Sequence, residues 1–258
     1  MIDIAVNLTS SQFRQDLEEV LARAREAGVD TLIGLASNLE EARLLQSLAE
    51  RHPDVYITAG IHPHYASGFE PSSRGEIAAL CEHPRVVAVG ECGLDFNRDF
   101  SPRADQRRAF EAQLKLACDL GKPALMHCRD AGDEFRAMVS EVRPDLSGGV
   151  LHCFTGNEQE LHQALELGLC IGITGWICDE RRGQTLAALV PQIPDDRLLL
   201  ETDAPYLLPR DIRPKPRSRR NEPRWLPHIA KKVAELRNQS VDALSHQCRL
   251  NAKRLFQV

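Results

Sequence analysis

Several things are missing from this 258-residue sequence, and each absence narrows its class. No apolar run approaches the roughly 20 residues that a helix needs to cross a bilayer, which excludes a helical membrane protein. The opening MIDIAVNLTS has no basic stretch followed by an apolar segment and a cleavage site, so the expected location is the cytoplasm. None of the cysteines at 81, 92, 118, 128, 153, 170, 178 and 248 falls in a CxxC pair or a regular framework. They read as reduced packing residues rather than disulfides. Positive charge is not in excess: 32 Lys and Arg stand against 37 Asp and Glu, a net −5. That argues against sequence-independent clamping of duplex nucleic acid, although a local cluster such as RPKPRSRR (213–220) still suits phosphates on an acidic body. No low-complexity segment or linker divides the chain.

What is present is alternation. The hydrophobic content of 43% and charged content of 27% fit a soluble globular protein with a sizeable core. Short apolar runs at 2–7, 31–36, 55–61, 86–91, 123–128, 149–154, 170–175 and 197–203 read as strands. Amphipathic patterns at 15–28, 39–52 and 104–121 read as helices between them, with Gly28 and Gly121 at C-terminal ends that favour a positive φ. Two more helical patterns, near 224–237 and 240–255, close the chain. Eight strands alternating with helices in about 250 residues predict a (β/α)₈ TIM barrel, a single α/β domain over 1–258. A doubly wound open sheet is the alternative, but no glycine-rich phosphate turn follows the first strand.

The strand ends are chemically unusual. PALMHCRDA (123–131) runs apolar and then stops on His127, Cys128, Arg129 and Asp130. Side chains alternate along a strand, so Leu125, His127 and Arg129 share one face and Cys128 takes the other. The same period groups Val150, His152 and Phe154, and it groups Val89 with Glu91. Asp3 and Asn7, His62 and His64, and Glu201 with Asp203 complete a polar inventory at one end of the predicted barrel. Buried charges of this kind are usually paired or bind a metal. Imidazole and carboxylate without thiolate suit Zn²⁺, Mn²⁺, Fe²⁺ or, where carboxylates dominate, Mg²⁺. A long Pro- and Arg-rich stretch (204–223) leaves the last strand at this same end, where barrel active sites are built.

The segments GIHPH (60–64), GECGLDF (90–96), MHCRDA (126–131), LHCFTG (151–156) and ETDAPYLLP (201–209) resemble those of TatD-type metal-dependent deoxyribonucleases, a branch of the amidohydrolase-like barrels. The likeness extends from the first strand to RRNEP (219–223). It implies a TIM barrel holding one or two metal ions and hydrolysing phosphodiesters. By position it makes Glu91, His127, His152 and Asp203 metal ligands. Many relatives carry Asp-x-His-x-His on the first strand; here the matching residues are Asp3, Ala5 and Asn7. Both histidines are missing, which leaves an oxygen-rich first metal position of Asn7, Glu91 and Asp203, or none. The second position, Glu91 with His127 and His152, stays whole. The lost imidazoles favour a hard ion, Mg²⁺ first, with Zn²⁺ and Mn²⁺ as alternatives.

The resemblance further implies a 3′-to-5′ exonuclease acting on single-stranded DNA and also RNA, with a part in repair of oxidative damage. In that reading Asp203 binds the metal or accepts a proton, and Glu201 is a second base or ligand. His62 orients the scissile phosphate or protonates the leaving oxygen, and His64 contacts the substrate. Arg129 grips a phosphate with its planar fork, while Arg217, Arg219 and Arg220 follow the strand backbone. Asp95 and Asp130 orient neighbours. Phe96, Phe100, Tyr65, Phe154, Trp176 and Tyr206 are candidates for base stacking. A monomer with no membrane partner is expected. Two rivals are kept: another metal-dependent hydrolase on this scaffold, acting on small phosphoesters, lactones or amines, and a barrel without metal competence that serves as a scaffold.

Overall fold

A computed structural model describes residues 1–258. The apolar runs become strands buried almost throughout, as a parallel sheet covered on both faces requires. The first half of the chain is β1 (Ile2–Val6), α1 (Leu17–Glu26), β2 (Thr31–Gly34), α2 (Leu39–Arg51), β3 (Val55–Ala59), α3 (Ser73–Cys81), β4 (Val86–Asp95) and α4 (Arg103–Leu120). The second is β5 (Ala124–Arg129), α5 (Gly132–Val142), β6 (Gly149–Leu151), α6 (Glu158–Glu166), β7 (Cys170–Ile173), α7 (Gln184–Leu189) and β8 (Leu198–Leu200). Then α8 (Leu226–Arg237) and α9 (Val241–Phe256) follow. All neighbouring strands pair in parallel in the order β1 to β8, the (β/α)₈ arrangement expected.

Helix ends follow local chemistry. Asn38 caps α2 by accepting from the Glu41 amide at 3.0 Å, while Glu41 reaches back to the Ser37 amide. Gly121 closes α4 with φ 61°. The core has two layers. An inner cluster including Ile4, Ile33, Leu125, Val150 and Leu199 fills the barrel, and Phe256 of α9 is packed into it. A larger cluster lies between sheet and helices. All eight cysteines are free.

β8 and β1 meet without a full ladder, through the Asp203 amide to Ala5 oxygen (2.9 Å) and the Asn7 amide to Ala204 oxygen (2.8 Å). Asp3 supplies the remaining bonds: its carboxylate accepts from the Thr202 amide at 2.9 Å and meets the Thr202 hydroxyl at 2.6 Å. Fully buried, Asp3 has its pKa pushed up by desolvation to about 8, against the Thr202 bonds. Asp3 therefore latches the seam instead of facing the mouth.

Two expectations drawn from strict alternation fail. On β4, Val89 pairs with Ala124 and Cys92 with Met126, three residues against two on β5. This bulge puts Val89 and Cys92 together in the outer layer. On β6 the ladder ends at Leu151, and Cys153 takes φ 49°. Phe154 consequently packs in the outer layer and does not share the face of Val150.

Candidate active site at the barrel mouth

Glu91 reaches the mouth because β4 runs ten residues and bulges in the middle. Gly90 (φ 148°) and Gly93 (φ 143°) flank it, and a Cβ at either would collide with the β5 backbone, at Leu125 and His127 respectively. Only glycine allows this approach, which brings Glu91 beside the end of β5.

Three imidazoles converge on one Glu91 carboxylate oxygen. His62 Nε2 lies 3.2 Å from Oε1, His127 Nδ1 3.1 Å and His152 Nε2 2.9 Å. Donor atoms of His62, Glu91 and His127 all fall within 4.8 Å of one another. The second nitrogen of each ring tells which one carries the proton. His152 Nδ1 faces Glu201 Oε2 at 3.3 Å, and His127 Nε2 faces Asp95 Oδ2 at 3.5 Å. Those carboxylates draw protons to the outer nitrogens, while the inner nitrogens of both rings lie within hydrogen-bond distance of Glu91. His62 is the opposite case. Its Nδ1 accepts from the His64 amide at 3.0 Å, which leaves the hydrogen on Nε2, pointing into the centre.

Electrostatics match this layout. Burial works against the Glu91 charge, but His62 and His152, with bonds from His127 and His152, hold its carboxyl well below the usual range. Burial also opposes charge on His152, yet Glu91 and Glu201 raise it well above the ordinary imidazole value. Desolvation prevails at His62, whose pKa is lowered. Asp203 is pushed up to about 7, chiefly by burial, with His152 opposing and the Glu91 and Glu201 charges adding. Asn7 donates its side-chain amide to Asp203 Oδ1 at 2.9 Å, while Ala5 is buried among apolar side chains.

Supporting groups complete the arrangement. Glu201 is fully buried behind His152, and its other oxygen accepts from the Cys153 amide. Asp95 accepts from the Asn97 and Arg98 amides (3.0 and 2.8 Å) and lies 2.7 Å from His64 Nε2, so one carboxylate orients two histidines. Asp130 holds Asn97 at 2.7 Å on the rim. Above the centre is a cavity of about 910 Å³, within the range of ligand sites. Glu91, His62, His64, His127, His152 and Asp203 line it, as does Arg129.

Its other basic residues were not singled out by sequence: Arg98 just past β4, Arg136 on α5 and Arg182 after β7. Their signal was position, since each follows a strand at the C-terminal end of the barrel. Arg217, Arg219 and Arg220 are not among the lining residues. Arg220 is engaged elsewhere, gripping Asp16 at 2.7 and 2.8 Å and Glu222 at 2.8 Å. Arg217 and Arg219 are exposed on the loop. Of the aromatic candidates, Tyr65, Phe154, Trp176 and Tyr206 line the cavity, whereas Phe96 lies under Arg103 and Phe100 stands 67% exposed beside His64.

The family model for TatD related DNase matches residues 2–257. The chain belongs to the TatD-related DNases. This makes it an enzyme of a phosphodiester-hydrolysing family. A protein of Erwinia billingiae named 3′-5′ ssDNA/RNA exonuclease TatD is 54% identical, covering 100% of this chain and 99% of the relative. One of the same name from Pantoea is 53% identical over the whole of both chains. Among solved structures, the TatD homologue YjjV of Escherichia coli superposes with a TM-score of 0.90 at 30% identity, covering 100% and 98% of the two chains. A TatD-family hydrolase of Entamoeba histolytica gives 0.88 at 26% identity, covering 99% and 97%. The TatD-type mouth supplies a donor set that fits a divalent ion, because imidazole nitrogens of His62 and His127 and the Glu91 carboxylate lie within 4.8 Å of one another. None of its helices is long and apolar enough to cross a membrane.

Proposed function

We propose that this chain is a metal-dependent 3′-to-5′ exonuclease of single-stranded DNA and RNA, as its relatives are named. The observation that supports it most is the convergence of His127 Nδ1, His152 Nε2 and His62 Nε2 on Glu91 Oε1. Glu91, His127, His152 and Asp203 would hold a divalent ion. Once bound, such an ion lowers the pKa of a water and polarises a phosphoryl oxygen. We favour a single ion, because Ala5 and Asn7 offer no imidazole at the first-strand position, and Mg²⁺ over Zn²⁺ or Mn²⁺.

The chain's own groups divide the work. Asp203, which lines the cavity and accepts from the Asn7 side chain, would bind the ion or take the proton of the attacking water. Glu201 acts through His152, fixing its tautomer, and is a positioning residue instead of a second base. His62 presents a neutral N–H to a phosphoryl oxygen, since its pKa is lowered and its Nδ1 is occupied. His64, tied to Asp95, sets the turn that carries His62. Arg129, exposed on the rim, grips the neighbouring phosphate. A cytoplasmic monomer with a part in clearing oxidatively damaged ends is the wider role proposed, and it is supported by the family resemblance alone.

Single-stranded oligonucleotides labelled at either end, incubated with a panel of divalent ions, test the reading. Stepwise shortening from the 3′ end, abolished by chelator and restored by Mg²⁺, is expected. Internal cutting, digestion from the 5′ end, or activity confined to small esters would overturn it.

A further inference from the structure

Away from the mouth, a second set of metal-type donors meets. Cys178 ends the 3₁₀ turn Gly175–Cys178 that follows β7, Asp211 lies in the long loop after β8, and His228 sits in the first turn of α8. One donor atom from each falls within 4.8 Å of the others, and His228 Nε2 is 2.7 Å from Asp211 Oδ1. None of the three lines the cavity over the barrel. We propose that Cys178, Asp211 and His228 form a separate cation site of the thiolate–carboxylate–imidazole kind that Zn²⁺ prefers.

The donor chemistry supports the choice of ion. Sulfur, nitrogen and oxygen at distances of about 2.0–2.3 Å from one ion form a tetrahedral set with a fourth position open. Thiolate and carboxylate together balance a divalent charge, which a half-buried site needs. Cys178 is covered (2% exposed), while the Asp211 and His228 side chains are 26% and 30% exposed, leaving a route in from solvent. The neighbouring Asp179 does not compete for the ion, because Arg182 and Arg210 hold it at 2.8 and 3.2 Å.

The position gives such an ion a task. The three donors come from segments that share no ladder, so an ion would join the turn after β7, the loop after β8 and the start of α8. Gly175 of this turn lies so close to the loop that a Cβ there would strike the Leu207 carbonyl. Trp176 of the same turn and Leu207 of the loop both line the mouth. A cation here would fix the wall of the cavity without touching the reacting phosphate.

Cobalt(II) tests this directly, because a thiolate bound to cobalt gives a near-ultraviolet charge-transfer band that imidazole and carboxylate do not. Reduced, metal-stripped full-length protein is titrated with Co²⁺, then with Zn²⁺ as competitor. One equivalent of charge-transfer signal is expected, displaced by Zn²⁺, retained in E91Q and C153S, and abolished in C178S. H228Q should weaken cobalt binding about tenfold or more, and it decides the matter if C178S does not fold. Absence of the band in the parent protein, its survival in C178S, or unchanged affinity in H228Q would overturn the proposal and leave a hydrogen-bonded Cys–Asp–His cluster. The readout does not depend on nuclease activity, so failure here and failure of the exonuclease reading are separate results.

Discussion

The barrel mouth and the arginine-rich loop after β8 both looked like function in the sequence, yet the fold uses them differently. At the mouth, charged groups from β4, β5, β6 and the turn after β3 meet within a few ångströms and are held by second carboxylates. In the loop, much of the charge is consumed by the protein itself. Arg220 and Arg23 share Asp16 and Glu222, with Arg224 3.2 Å from Glu222. Asn221, fully buried, donates to the Thr202 oxygen at 3.0 Å. The RRNEP segment thus ties the end of β8 to α1. Charge on a strand end is aimed by the ladder, whereas charge on a loop serves whichever partner the fold brings near.

The comparison is broken most severely at its centre. Glu91→Gln keeps the size of the side chain but removes the anion that three imidazoles face. Exonuclease activity should fall on the order of 10³-fold, with an unchanged far-ultraviolet circular dichroism spectrum. Near-parent activity would show that the convergence is structural. Glu201→Gln should do less. A Gln amide no longer favours the proton on His152 Nδ1, so metal affinity should drop about 10- to 100-fold, with activity recovered at high metal concentration. A loss that excess metal does not restore would make Glu201 a base in its own right.

How far each region was legible follows from the range of its interactions. His127 and His152 could be placed because period two and an apolar run fix which way a strand residue points. Glu91 was placed in the mouth correctly, but its grouping with Val89 was wrong, since a bulge between glycines is invisible to simple alternation. Helices α3, α5, α6 and α7, which the patterns had not singled out, occupy the intervals between strands where the barrel demands them. Arg220 was misread for another reason: Asp16 lies 204 residues away, and no local pattern reports such a pairing. Asp3 was taken for a mouth residue because a carboxylate on a first strand looks the same whether it binds a cation or closes a seam.

The loop side of the comparison is sharpened by stability. Arg220→Ala should remove about 1–2 kcal/mol, or roughly 3–6 °C of Tm, because it strips a half-buried pair from Asp16 and Glu222. The pH dependence carries a definite sign. The Arg220 hydrogen bonds lower Asp16 to about 2, with burial opposing. A depressed carboxylate contributes stability that is complete above its unfolded pKa near 4 and is lost as pH falls toward 2. Thermal melts between pH 6 and 2 should therefore show the parent losing more Tm than Arg220→Ala, and parallel curves would refute the pairing.

The smallest effects concern binding. Arg129 lines the cavity, whereas Arg217 and Arg219 do not. Each phosphate contact to a single strand contributes about 0.7 to the slope of log affinity against log salt. Arg129→Ala, measured on a short oligonucleotide with catalysis suppressed by chelator, should flatten that slope by about this amount. The double replacement of Arg217 and Arg219 should leave the slope within error, with affinity altered less than about twofold at moderate salt, because neither lines the cavity and exposed charges are screened by salt. If the loop pair flattened the slope as much as Arg129 does, the strand would have to leave the cavity over the loop. The two regions would then be one continuous binding surface.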